Sequence, residues 1–298
     1  MTVASHSRKV NKAKMLVVDD EPDNLDLLYR TFRRDFTVLR AESGQQALEI
    51  LSEHGEVAVI ISDQRMPEMK GTEFLSKTVP EFPDTVRIIL TGFTDVEDLV
   101  DAINAGQVYR YITKPWDPDE LKHVVDQAAH TYDLLKQRGE AIDLLENQHW
   151  VVMKMAEIAQ STDDVTVALP DIATAAQRVI GAQGVAVHLV DQAVLADHVG
   201  IAGTASSDLI KQDPLVGEAI ASSDLKYCAD GAKVADAATK AAYEAAGMGA
   251  HCIAPVLFRG AVVALVSLQW ASPQVFSERS QNFIKMTAQQ VALTLACL

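Results

Sequence analysis

Short apolar runs alternate with amphipathic stretches from Lys14 to about Ala129. Met15–Val18 is a buried-strand pattern that ends in two acids, and Asn24–Phe32 carries Leu25, Leu28 and Phe32 at helical spacing. Thr37–Ala41 predicts a second strand, Gly44–Glu53 a second helix, and Val57–Ser62 a third strand that is apolar almost throughout. A helix over Thr72–Thr78, a strand over Val86–Thr91, a helix over Val96–Ala105 and a strand over Tyr109–Thr113 continue the series. Pro115 and Pro118 stop the last strand, and a helix begins near Asp119. Strands alternating with helices through short connections predict an α/β unit, a doubly wound five-stranded parallel sheet covered on both faces.

From Asp119 to about Ser161 the pattern is helical only. Leu121, Val125, Ala128, Tyr132, Leu135 and Gly139 recur in steps of four and three, and Ile142, Leu145, His149, Val152, Ala156 and Ala159 resume the series. Two successive steps of three around Ile142 make a stammer. A helix this long is expected to pair with a second copy of itself, giving a homodimer through residues 119–160. The alternative is a helix that packs on its own domain and breaks at Gly139. Ser161–Asp164 ends the run, and an Ala-rich second unit follows. It predicts a helix over Asp171–Ile180, strands over Val185–Val190 and Ala193–Val199 joined at Asp191–Gln192, and a helix over Leu215–Ser222. Then come a short strand Lys226–Cys228, a helix Ala235–Ala246, a hairpin from His251 to Trp270 turning at Arg259–Gly260, and a terminal helix. This is the α+β pattern of an antiparallel sheet.

The 298 residues suit two domains, and the formal charge of −15 narrows their partners. Residues 1–164 hold 18 Lys/Arg against 30 Asp/Glu, and residues 165–298 hold 8 against 11. Such a field repels phosphate backbones and anionic lipid, so neither nucleic acid nor a membrane is an expected partner. The one basic cluster is Arg8, Lys9, Lys12 and Lys14, in an arm over residues 1–13 expected to be flexible. Cys228, Cys252 and Cys297 form no metal-ligand or disulfide pattern, and no apolar run approaches the length of a bilayer span. A cytoplasmic location is expected.

In a doubly wound sheet, function sits at the carboxyl ends of the strands. Asp19 and Asp20, Asp63, Thr91 and Lys114 all fall there. A carboxylate attacks phosphorus only when charge is neutralised and geometry is fixed, which calls for a hard divalent cation, a lysine and a hydroxyl. These strand ends supply that inventory. The segments MLVVDDE, IISDQRMPEMKG, ILTG and YITKP resemble the response-regulator receiver family over about residues 14–130. The resemblance implies a flavodoxin-like fold in which Asp63 accepts a phosphoryl group from a sensor histidine kinase. It also implies Mg²⁺ held by Asp19, Asp20, Asp63 and the backbone carbonyl of Arg65, with Thr91 and Lys114 on the phosphoryl oxygens. The Lys114–Pro115 peptide is expected to be cis, and Tyr111 to act with Thr91 as an aromatic switch. Arg65 and Phe93 are bulky neighbours of the site, which predicts a slowly lost phosphoryl group.

The segment from His251 to Ala296, with the helix at Asp213–Asp224, resembles GAF domains and extends the likeness over residues 165–298; a related PAS-like sensor fold is the alternative. GAF relatives hold small ligands, yet no ligand is named by this sequence. Cys252 follows His251 rather than preceding it, unlike a bilin-attachment pair. No cyclic-nucleotide motif is visible, and His188, His198 and His251 have no metal-ligand spacing. The whole reads as a receiver, a signalling helix over residues 119–161 and a GAF domain. Such a protein is not an enzyme beyond its own phosphorylation and dephosphorylation, and its output is contact with a downstream protein. The alternatives are a fragment of a longer receiver–GAF protein with a cyclase or phosphatase output, and a pigment- or ligand-binding sensor.

Overall fold

The computed structural model describes residues 12–92 and 108–298. The chain divides between Ala141 and Ile142 into two compact units. In the first, β1 (Lys14–Val18), α1 (Pro22–Phe32), β2 (Thr37–Ala41), α2 (Gly44–His54), β3 (Val59–Asp63), α3 (Gly71–Thr78), β4 (Val86–Thr91) and β5 (Arg110–Thr113) lead into α4 (Pro118–Ser161). The sheet order is β2-β1-β3-β4-β5 and every pairing is parallel. The helix expected over Val96–Ala105, like Phe93 and most of the basic arm, lies outside the described residues.

Alternation along each strand supplies two cores. Met15, Val17, Ile61 and Ile88 face α1 and the start of α4, while Leu16, Val18, Ile60 and Ile89 face α2 and α3. The helices start where the sequence provides caps. Pro22 opens α1 in the first turn, where its missing N–H costs nothing. The Ser43 hydroxyl accepts from the Gln46 N–H at the head of α2, and the Gln46 side chain accepts in return from the Glu42 N–H. Asp117 caps α4 by accepting from the Asp119 and Glu120 N–H groups.

The helix α4 is continuous for 44 residues, with no break at Gly139. Leu121, Val125 and Ala128, expected in a seam between two chains, are buried with Val124 in the core of the first unit. Further along, Val151, Met155 and Ile158 join the core of the second unit. The series Ile142, Leu145, His149, Val152 and Ala156 lies on a different stripe and is exposed, Ile142 at 44% and Leu145 at 64%. The reason is angular. Positions 151 and 152 point about 100° apart on a 3.6-residue helix, so one stripe can be occupied while its neighbour stays open.

The second unit contains α5 (Val165–Ile180), β6 (Gly184–Asp191), β7 (Val194–Gly203), α6 (Ser207–Ile210), α7 (Pro214–Ser222), β8 (Lys226–Cys228), α8 (Ala237–Ala245), β9 (Ala250–Phe258), β10 (Ala261–Trp270) and α9 (Glu278–Cys297). Its sheet runs β7-β6-β10-β9-β8 and is antiparallel throughout. Helix α5 begins six residues before the expected start. Pro170 lies inside it, and burial of Ala168 and Leu169 together with the Asp164 cap holds the turn ahead of the proline. Strand β7 outlasts its predicted end because Gly200 lets it pass against the Leu169 backbone, where any Cβ would collide. The hairpin turns at Gln192–Ala193, both at positive φ, one residue later than predicted; Arg259–Gly260 turns as expected.

Candidate phosphoacceptor site and a sealed polar cluster

Strand order places the ends of β1, β3 and β4 side by side, and the loop after β5 brings Lys114 over them. The Lys114 Nζ donates to Asp19 Oδ2 at 3.0 Å and pairs with Asp63 Oδ1 at 2.5 Å. Asp19 and Asp63 are buried, so one ammonium neutralises two carboxylates that water reaches poorly. The loop is fixed by the Lys114 N–H donating to the Thr91 carbonyl at 2.7 Å, and the Lys114–Pro115 peptide is cis. Asp19 also accepts from the Glu21 N–H, and both of its carboxylate oxygens accept from the Asn24 Nδ2 amide. Asp63 Oδ2 accepts from the Arg65 N–H at 2.9 Å.

Burial raises the Asp63 carboxyl above the ordinary carboxylate range, and the charge of Asp19 adds to the effect; Lys114 and the Arg65 N–H pull the other way without overcoming it. Burial by itself would lower the Lys114 ammonium. Its hydrogen bonds to Asp63 and Asp19 prevail and raise it. Lysine is therefore held charged beside a carboxylate that gains from any further cation.

The remaining expected residues surround this pair. Thr91 is buried at the end of β4, beside β3, whose Asp63 is in register with Leu90. Asp20 is exposed next to Asp19, and the Arg65 side chain is exposed beyond β3. Tyr111 sits on β5 opposite Ile89 and is 44% exposed, its ring outside the core. No group of three or more His, Cys, Asp or Glu side chains makes a metal cage among the described residues. An open set of hard oxygens with room for water is the arrangement Mg²⁺ takes, and the acids here fit it.

Four contributors escaped the sequence reading. Asn24 orients Asp19, and Trp116 lies under the Lys114 ammonium, 5.9 Å from ring centroid to Nζ. Gln64 is buried and pins the start of α3 by accepting from the Thr72 N–H and donating to its hydroxyl. Gly71 opens α3 so close to the Asp63 carbonyl that any side chain would collide with it. Only the glycine directly before a helical pattern left a readable signal.

The second unit carries a different polar cluster on the sheet face beneath α6 and α7. Asp213 Oδ2 lies 2.7 Å from His251 Nδ1 and accepts from the Tyr243 hydroxyl at 2.6 Å. His251 Nε2 lies 2.8 Å from the Ser267 hydroxyl, which also accepts from Gln269. Gln269 in turn clasps the Ser206 backbone through both ends of its amide. His251, Ser267 and Tyr243 are fully buried or nearly so. Burial opposes ionisation of Asp213, but His251 and Tyr243 outweigh it and hold the carboxyl below its usual range. A pocket of about 200 Å³ lined by Gln212, Asp213, Asp236, Thr239 and Tyr243 adjoins the cluster. On the same sheet face, His188 is buried and neither ring nitrogen has a hydrogen-bond partner.

A parallel sheet with two acids, a hydroxyl and a lysine at its carboxyl edge defines a phosphoacceptor class of signalling domain. Comparison with known proteins agrees: residues 15–126 match the response regulator receiver domain, and residues 162–296 match the GAF domain. The chain belongs to the response-regulator receiver family, with a C-terminal GAF domain. It is 34% identical over 122 residues to a chemotaxis protein CheY homolog of Campylobacter jejuni, covering 40% of this chain and 93% of that one. It is 42% identical over 123 residues to the hydrogenase transcriptional regulatory protein HoxA of Cupriavidus necator, covering 41% of this chain and 25% of that one. The chain thus spans about a quarter of the length of that longer regulator. A solved structure described as an adenylate cyclase from Rhodopirellula baltica is similar at 34% identity with a TM-score of 0.43, covering 44% of this chain and 97% of that one. Among the described residues no helix is long and apolar enough to cross a membrane.

Proposed function

We propose that this chain is a two-component response regulator in which Asp63 accepts a phosphoryl group from a sensor histidine kinase. The observation that carries the reading is the Lys114 ammonium bridging Asp19 and Asp63 at the strand ends. In the transfer, an Asp63 carboxylate oxygen forms a bond to phosphorus as the phosphorus–nitrogen bond of the donor phosphohistidine breaks, and the electron pair stays on the imidazole. Mg²⁺, held by Asp19, Asp20, Asp63 and the Arg65 carbonyl, supplies charge neutralisation when bound. Lys114 leaves the esterified carboxyl and pairs with a phosphoryl oxygen, and Thr91 donates its hydroxyl to another. Movement of Thr91 vacates space into which the Tyr111 ring turns.

The output in this reading is a change in how two copies of α4 pair within residues 119–160, relayed to the GAF domain and a downstream protein in the cytoplasm. The buried start of α4 confines the free apolar stripe to the stretch from Ile142 onward. Treatment with acetyl phosphate and Mg²⁺, followed by intact mass and sedimentation, tests the reading. One phosphoryl adduct on the wild type, none on Asp63→Asn, and a shifted monomer–dimer equilibrium on phosphorylation are expected. A wild-type mass left unaltered by the donor overturns it. The Arg65 side chain shields the acyl phosphate from water, so the adduct should persist on the order of minutes or longer; a lifetime of seconds contradicts that role.

A further inference from the structure

A second charge cluster lies at the opposite edge of the receiver sheet. Glu56 precedes β3 and Asp84 precedes β4, so both stand at the strand ends away from Asp63 and Thr91. The Lys136 Nζ, on α4, lies 2.6 Å from Glu56 Oε2 and 3.1 Å from Asp84 Oδ2. One helical turn earlier, Tyr132 places its ring 5.7 Å under the same ammonium. The second Glu56 oxygen, Oε1, is buried and has no hydrogen-bond partner, and two cations act on this carboxylate. One is Lys136. The other is Arg87, which is buried, donates to the Thr78 hydroxyl and the Thr85 and Phe82 carbonyls, and gains from the Glu56 charge against its burial.

This cluster falls where apolar attachment of α4 runs out. Ala128 is fully buried, Ala129 and Tyr132 are partly so, and Leu134 is 52% exposed. Beyond Tyr132, Lys136 ties the helix to the sheet edge through Glu56 and Asp84. At its other end α4 starts four residues after Lys114, capped by Asp117. The two ends of this stretch are therefore held at opposite edges of one sheet.

We infer that Glu56, Asp84 and Lys136 form an ionic clamp that extends the receiver's grip on α4 by one turn past its apolar packing. The clamp makes residues 118–136 move as a piece with the sheet. A displacement at Lys114 then reaches the exposed stripe at Ile142 rather than being absorbed by fraying of the helix. The clamp is half-open to solvent, so its strength falls with ionic strength.

Hydrogen exchange on the full chain, read peptide by peptide without any phosphodonor, tests this independently of Asp63 chemistry. In Lys136→Met at low salt, amides of residues 130–141 should exchange about fivefold faster than in the wild type, the factor for one moderate charge-pair network. Lys136→Arg should keep wild-type protection, and Asp84→Asn, which removes one half-exposed acid, should give a smaller acceleration in the same segment. Wild type in 1 M NaCl should approach the Lys136→Met rate. Equal exchange of residues 130–141 in wild type and Lys136→Met overturns the inference. So does an acceleration spread evenly over the receiver, which would mark general destabilisation.

Discussion

The polar cluster at the receiver strand ends and the one in the second unit are each built round a buried aspartate, and they differ in what reaches them. The Asp19–Asp63–Lys114 group sits at strand ends, with Asp20 exposed beside it and an exposed loop above. The Asp213–His251–Ser267 group has the distances of a hydrolytic triad, 2.7 and 2.8 Å. It lies on the face of a sheet under two helices, and its serine is sealed from solvent. A nucleophile needs a substrate path and donors aimed at the developing charge, and a mid-strand serine whose hydroxyl is shared between His251 and Gln269 has neither. In the proposed function the first cluster is the one that reacts. The second is arranged to hold Ser206 and Asp213, which flank α6, against β9 and β10. Hydrogen-bond geometry by itself does not separate the two; position within the fold does.

The sharpest way to break this contrast is chemical. Asp63→Asn should abolish phosphoryl uptake from acetyl phosphate, while Ser267→Ala should leave the rate of uptake unchanged, both read by intact mass. Uptake lost in Ser267→Ala would mean that the clusters are not independent.

Next in size is the stability of the second unit. Asp213→Ala leaves His251 and Tyr243 buried without their shared acceptor and should cost about 3–5 kcal/mol in denaturant unfolding. A cost below about 1 kcal/mol would show that water replaces the carboxylate. Ser267→Ala removes a smaller share, about 1–2 kcal/mol, because it strands one imidazole nitrogen and one amide hydrogen.

The smallest expected effect is a gain. His188 is a buried imidazole with no partner, and burial, assisted by the charge of Lys211, lowers its pKa. The unfolded chain then binds the proton more readily than the native one below the ordinary histidine pKa of about 6.5. Stability should fall as pH drops from that value towards the lowered one. His188→Leu should raise stability by about 1 kcal/mol at neutral pH and flatten that acid slope, followed by thermal unfolding at pH 5 and pH 7. An unchanged slope would place the titration elsewhere.

Legibility in the sequence tracked how local the cause was. The five strands of the receiver were readable because each is a short apolar run, and the reactive edge because its polar residues fall directly after those runs. Asn24, Gln64 and Trp116 were not readable, since each gains its role from a neighbour brought close by packing across elements. The start of α5 was misplaced because Pro170 is a strong local stop signal, overridden here by burial of residues on both sides. The Leu121–Ala128 face illustrates the same limit. Its apolar spacing predicts that something covers it, but not whether that is a second chain or the chain's own sheet.

What the amino-acid order determined alone is periodicity: which segments pleat, which coil, and which acids, hydroxyl and lysine end up at strand termini. That follows from backbone geometry, with a repeat of two in strands and 3.6 in helices. Which stripe of α4 is occupied, which histidine is partnered and which serine is reachable were decided only by tertiary structure. Those depend on solvent exclusion and on distances between residues far apart in the chain, and a periodic pattern carries neither.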